Sequence, residues 1–237
     1  MWPFNNKAKE DFAKAQHREQ MLKTAQLSAS VGNMRNVYAT ITALQMDGPI
    51  NDIVAEDVIC GMVNTAAHNN LKEGLGLAIW LVNQHRPGEE ALRERVTERA
   101  FALLDRLKGD DEKLTATGAM MCLVIAARAP AGSAHETKAL RLWDETVDAL
   151  AKTQSGIQFA FAAACNAALG FNDMKTLLRG QAIDKWEKLV LQLAQRDKFA
   201  ALKETQRVVV NYSDFGKDGR VFRNRAFELM VKVARSP

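Results

Sequence analysis

Side chains able to carry nucleophilic, metal or acid–base chemistry are sparse in this chain of 237 residues. Cys60, Cys122 and Cys165 are its three cysteines. They are odd in number and far apart, whereas metal sites use closely spaced pairs and disulfide frameworks are short and cysteine-dense. Each sits in an apolar, small-residue stretch (DVICGMVNTAAHNN, TGAMMCLVIAARAP and FAFAAACNAALGFND), so buried, reduced thiols are expected. His17 falls in the first hairpin and His68 and His85 at expected helix ends of the second, where an imidazole caps carbonyls or faces water. His135 and Glu136 open a two-histidine zinc pattern, but Ala139 stands where the second histidine belongs. Gly74 and Gly76 lack the third glycine and the preceding strand of a dinucleotide fingerprint, and no Gly-Lys-Ser/Thr phosphate loop occurs. No catalytic residue, metal ligand or cofactor site is expected.

One string does combine useful chemistries. Lys217, Arg220, Arg223 and Arg225 interleave with Tyr212, Phe215, Phe222 and Phe227. Cations neutralise phosphates and aromatic rings stack on unpaired bases, so these four basic residues form a candidate surface for RNA or single-stranded DNA. The charge distribution points the same way: residues 179–237 hold 13 Lys/Arg against 7 Asp/Glu, a net +6, while the remaining 178 residues hold 19 against 21. The competing account is structural: Phe222 belongs to a packing stripe, and the arginines are a solvated face or pair with acids on a neighbouring helix. Asp214, Phe215 and Gly216 match the kinase metal triplet in composition, but no catalytic or glycine-rich loop accompanies them, and they read as a turn.

The elements that would position these residues are helices throughout. Asn5 and Asn6 can cap a helix from about Lys7 to Ser30, preceded by an apolar tip, Met1-Trp2-Pro3-Phe4, to which no function is assigned. Val31, Gly32 and Asn33 turn the chain into a second helix, Met34 to about Met46, stopped by Asp47, Gly48 and Pro49. A second hairpin follows, about Asp52 to Ala67 and Leu71 to His85, turning at His68, Asn69 and Asn70. Leu92, Val96, Ala100, Leu103 and Leu107 stripe a helix from Glu89 to Lys108. The loop Gly109, Asp110, Asp111 and Glu112 leads into the Cys122 helix, whose stretch Thr115 to Ala127 is so nearly unbroken in small and apolar residues that it is the candidate for the central helix. Ser133 and Glu136 have capping-box spacing and open a helix at Ala134 with Leu140, Trp143, Val147 and Leu150 inward. After a break at Thr153 to Gly156 come the Cys165 helix, one from about Asp173 with a restart near Gln181, one from Lys198 to about Asn211, and a last from about Arg220 to Ala234. Val208, Val209 and Val210 have strand character but nothing to pair with, so the helix is kept.

The two opening hairpins superpose at an offset of 37 residues, which places Met21 on Val58, Leu22 on Ile59, Ala29 on Ala66, Asn33 on Asn70, Met34 on Leu71, Arg35 on Lys72, Tyr38 on Leu75 and Leu44 on Leu81. That period, with a small residue late in the first helix and Gly or Asn at the turn, resembles the tetratricopeptide and pentatricopeptide class of helical repeats over about residues 17–85. The Trp, Leu-Gly, Tyr and late Pro of the tetratricopeptide signature are absent, and no base-reading residue of the pentatricopeptide class is carried over.

The expected fold is all-α: about ten to eleven antiparallel helices in a solenoid-like array or irregular bundle, as one domain with a soft division between residues 86 and 87. No apolar run approaches the roughly 20 residues of a membrane span, and the N-terminus lacks a signal-peptide pattern, so a cytoplasmic protein is expected. The expected function is non-catalytic: a scaffold that binds another protein or peptide, with nucleic-acid binding through the basic C-terminal helix as the alternative. The oligomeric state is left open.

Overall fold

The computed structural model describes residues 4–84, 86–107, 111–169, 176–211 and 216–236, and the side chains of all of these except 4–6, 176–178 and 216–218. Among the described residues there are eleven α-helices and no strand, an all-α protein. The chain forms two compact units, Met1–Lys108 and Gly109–Pro237. The division therefore falls after the fifth helix and not at residues 86/87, because that helix packs on the two before it.

The first unit contains α1 (Phe4–Ser30), α2 (Met34–Met46), α3 (Ile53–Asn69), α4 (Leu71–Asn83) and α5 (Glu90–Leu104), followed by a 3-10 turn, Asp105–Leu107. Short polar side chains set the helix starts, because the first N–H groups of a helix have no internal acceptor. Asn33 accepts from the Asn36 N–H and Asp52 from the Ala55 N–H at 2.8 Å. Asn70 ends α3 and starts α4 at once: its N–H donates to the Ala66 carbonyl at 2.8 Å and its side chain accepts from the Lys72 N–H at 3.0 Å. The turn expected over His68–Asn70 is thereby reduced to one residue. Asn33 and Asn70, 37 residues apart, hold the same position before a second helix.

In this unit α1, α3 and α5 pack one against the next, while α2 and α4 fold back on their predecessors. Tyr38 of α2 meets Trp80 of α4 edge-on, with ring centres 5.0 Å apart. α3 and α4 approach so closely that a Cβ on Gly74 would stand 2.3 Å from the Ala67 Cβ and 2.6 Å from its backbone nitrogen, which accounts for a glycine inside a helix. Residues 7–17, the first turns of α1, are exposed on every side. Of the tip Met1-Trp2-Pro3-Phe4, the first three residues and the Phe4 side chain lie outside the described residues, as does His85.

The second unit contains α6 (Glu112–Arg128), α7 (Ala134–Leu150), α8 (Gly156–Leu169), α9 (Thr176–Ala194), α10 (Lys198–Asn211) and α11 (Gly216–Arg235). Asp111 caps α6 by accepting from the Lys113 and Leu114 N–H groups at 2.9 and 3.0 Å. Ser133 accepts from the Glu136 N–H at 3.2 Å, but Glu136 reaches back to the N–H of Gly132 and so closes the capping box one residue early. The chain is a series of hairpins, α6–α7, α8–α9 and α10–α11. Within this unit the middle position belongs to α8, which touches α6, α7, α9 and α11, and not to α6, which packs on α7 and α8. Buried Ala160, Ala163, Ala164, Ala167 and Ala168 let the surrounding helices close around α8.

α9 is continuous from Thr176 to Ala194, without a restart at Gln181; the start expected near Asp173 lies outside the described residues. α10 includes Val208–Val210 as helix, and α11 begins at Gly216, four residues before the expected start. Asp214 and Phe215 lie outside the described residues. Cys60, Cys122 and Cys165 are all buried free thiols, on α3, α6 and α8.

Candidate docking surface on the last hairpin

The four basic residues singled out in the sequence are divided by the geometry of α11. A helix turns by about 100° per residue, so its buried stripe, Phe222, Ala226, Leu229 and Val233, sets the direction of every other side chain. Phe222 is fully buried and meets Trp186 of α9 edge-on at 5.0 Å. Arg225 is drawn to the same neighbour. Its Nε and Nη2 donate to the two oxygens of Glu187, each at 2.7 Å, and Nη2 also donates to Asp184 Oδ1 at 2.8 Å. The hydrogen bonds to Glu187 lead in holding this guanidinium above its ordinary pKa, against the opposing effect of burial. Arg225 therefore ties α11 to α9.

Arg220 and Arg223 lie elsewhere on the helix, with Arg220 exposed, Arg223 half-buried, and neither within an ion pair to an acid among the described residues. The Lys217 side chain lies outside the described residues. Phe227 follows Arg220 and Arg223 at positions i, i+3 and i+7 of one stripe and is 53% exposed. It contributes, with Val209 of α10 and with Arg223, Asn224 and Glu228, to a groove of about 420 Å³ along the α10–α11 seam. Phe199, 78% exposed, and Val210 extend the apolar surface of α10. Sequence reasoning grouped Phe227 with the other aromatics. Its mismatch with the buried stripe beginning at Phe222 was the signal that it points outward.

Two other concave regions carry less. The larger, about 550 Å³, is lined among the described residues by one face of α1 alone, from Gln16 to Leu27. A groove of about 440 Å³ between α7 and α9 holds Lys185, whose side chain is only 4% exposed. That ammonium is already satisfied: Nζ donates to Asp144 Oδ1 at 2.5 Å and to the Asp144 carbonyl at 3.2 Å, and lies 2.8 Å from Asp148 Oδ2. Among the described residues no cluster of His, Cys, Asp and Glu could hold a metal ion, and no helix is long and apolar enough to cross a membrane.

No protein family, no characterised protein and no solved structure matches this chain. At the α10–α11 seam, exposed apolar side chains and Arg223, which has no ion pair to an acid among the described residues, meet at a concave surface.

Proposed function

We propose that the protein is a non-catalytic helical interaction module of the cytoplasm that docks a partner protein along the α10–α11 seam. The observation that carries this reading is the composition of the seam. Aromatic and aliphatic side chains, Phe227 and Val209, border a groove that also holds Arg223, Asn224 and Glu228, and exposed Arg220 precedes Arg223 by one turn on α11. Arginine and aromatic residues around a recess are among the groups enriched at protein–protein interfaces.

A nucleic-acid reading rests on the same two arginines with Phe227 as a stacking platform. Two features favour protein. Val209 has no π-face on which a base could stack, and the Glu228 carboxylate in the groove repels phosphates.

Affinity capture from the native host, with and without nuclease, compares the full chain with a Phe227→Asp variant. The expected result is a stoichiometric protein partner that survives nuclease and is lost from the variant. Retention that disappears with nuclease and falls steeply with salt would replace this reading with nucleic-acid binding. A captured set identical for the two proteins would remove the seam from consideration.

A further inference from the structure

α1 is supported along only part of its length. From Arg18 onward it packs on α2 and α3 through Leu22, Ala25, Ser28 and Ala29, whereas residues 7–17 are exposed on every side. A free helical segment of that length is marginal in water, because most helical stability comes from packing. Opposite the buried stripe run Phe12, Gln16, Glu19, Lys23 and Leu27, continued by Val31, whose N–H donates to the Leu27 carbonyl at 3.2 Å. Phe12, Leu27 and Val31 are 64%, 67% and 71% exposed. Between the ring and the two aliphatic side chains lie one acid and one cation, Glu19 and Lys23, paired at 2.6 Å and both largely exposed.

We propose that this face of α1 binds the same face of a second copy of the chain, with the two helices antiparallel. Charge order selects that occupant. Glu19 stands one turn before Lys23, so antiparallel copies set each Glu19 opposite the second copy's Lys23, whereas parallel copies set like charge against like. The register this imposes also fits the apolar side chains. Equal steps in opposite directions from that charge pair bring Phe12 level with the second copy's Ser30, between its Leu27 and Val31, which stand one turn apart. A ring entering the notch between two aliphatic side chains is knob-into-hole packing, and the twofold axis repeats it at the other end. The unsupported half of each helix then lies along the supported half of the other. Contact along one helix is smaller than a standard interface, so association is expected at micromolar concentrations and not below.

Sedimentation equilibrium of the full chain over about 1–200 μM tests the proposal, and a monomer–dimer equilibrium is expected. Phe12→Asp and Leu27→Asp, at exposed positions outside the core, should each weaken it at least about tenfold. Lys23→Glu and Glu19→Lys should each weaken self-association, and an equimolar mixture of those two variants should form a heterodimer, a gain that misfolding cannot imitate. A nitroxide on Glu10→Cys reads the orientation: the rise of 1.5 Å per residue puts the two labels about 35 Å apart in the antiparallel pair, against less than about 20 Å in a parallel one. Phe227→Asp, on the α10–α11 seam, should leave the dimer unchanged.

A monomer throughout the range, a dimer indifferent to Phe12→Asp, failure of the two charge variants to pair, or the short label distance would overturn the proposal. A dimer lost with Phe227→Asp would move the contact to the α10–α11 seam and overturn it equally. If the chain stays monomeric and binds anionic vesicles in a Phe12-dependent way, the face belongs to a lipid surface and not to a second copy.

Discussion

Glu89 offers the sharpest test of how the first unit is held together. It is 2% exposed, and its carboxylate accepts from Gln45 Nε2 at 2.8 Å, from the Ile50 N–H at 2.9 Å and from the Arg86 N–H at 3.3 Å. Gln45 and Ile50 are themselves buried, so one carboxylate satisfies two donors on the end of α2 and on the loop after it. Glu89→Ala removes the acceptor and leaves both donors inside the protein. An unsatisfied buried donor costs about 1–3 kcal/mol, and the Arg86 N–H can turn to water, so the expected loss from the two stranded donors is about 2–6 kcal/mol. Glu89→Gln keeps one oxygen for the Ile50 N–H, and the Gln45 amide can turn its own oxygen toward the new NH2 group. Its expected loss is only about 1 kcal/mol. Urea unfolding followed by helical circular dichroism reads the totals, and amide exchange at Ile50 reads the local part. An Ala variant within about 0.5 kcal/mol of the unmodified protein, with unchanged exchange at Ile50, would refute the account.

The glycines of the second hairpin give a paired test. A Cβ at Gly61 meets nothing within 4 Å, so Gly61→Ala should stabilise by about 0.5–1 kcal/mol, whereas Gly74→Ala drives a methyl into the Ala67 backbone and should destabilise by about 1–3 kcal/mol. The same unfolding curves check both, and equal effects would refute the close α3–α4 approach. Tyr38 provides a pH test. Burial, and secondarily the Glu73 carboxylate, push its phenol above the ordinary value of 10.0. The unfolded chain therefore ionises first, and this contribution to stability is intact below the unfolded pKa and lost as pH rises through the folded one. Thermal unfolding between about pH 9 and pH 11 should fall less steeply for Tyr38→Phe than for the unmodified protein, and parallel curves would count against the shift.

Local chemistry was readable and long-range chemistry was not. Asn33, Asp52, Asn70, Asp111 and Ser133 cap helices within a residue or so of where turn residues and apolar periodicity predict a start. Capping is decided within four residues, so the sequence carries it directly. α6 shows the limit. Its unbroken apolar stretch predicts a central place, yet within its unit α8 has the middle place, because apolar content records how much of a helix is covered and not which helices cover it. The basic C-terminal residues take different surroundings for a related reason. Spacing on α11 separates Arg225 from Arg220 and Arg223, but only the fold reveals that Asp184 and Glu187 wait on the Arg225 side.

The ion pairs between hairpins follow a common direction that bears on the open seam. Lys185 of α9 reaches back 41 residues to Asp144 of α7, and Arg225 of α11 reaches back 41 residues to Asp184 of α9. In each case the later helix supplies the cation and the earlier one the carboxylate, with a buried aromatic close by: Trp143 beside Asp144, and Trp186 between Asp184 and Glu187. Lys185 shows that such a pair is built to be enclosed, since its side chain is almost wholly buried and three oxygens surround the ammonium. Enclosing a cation without those oxygens would be strongly unfavourable. Arg223 is half-buried in the α10–α11 groove with Glu228 in the same lining and has no ion pair to an acid among the described residues, so a partner that encloses it has to offer that guanidinium an oxygen acceptor.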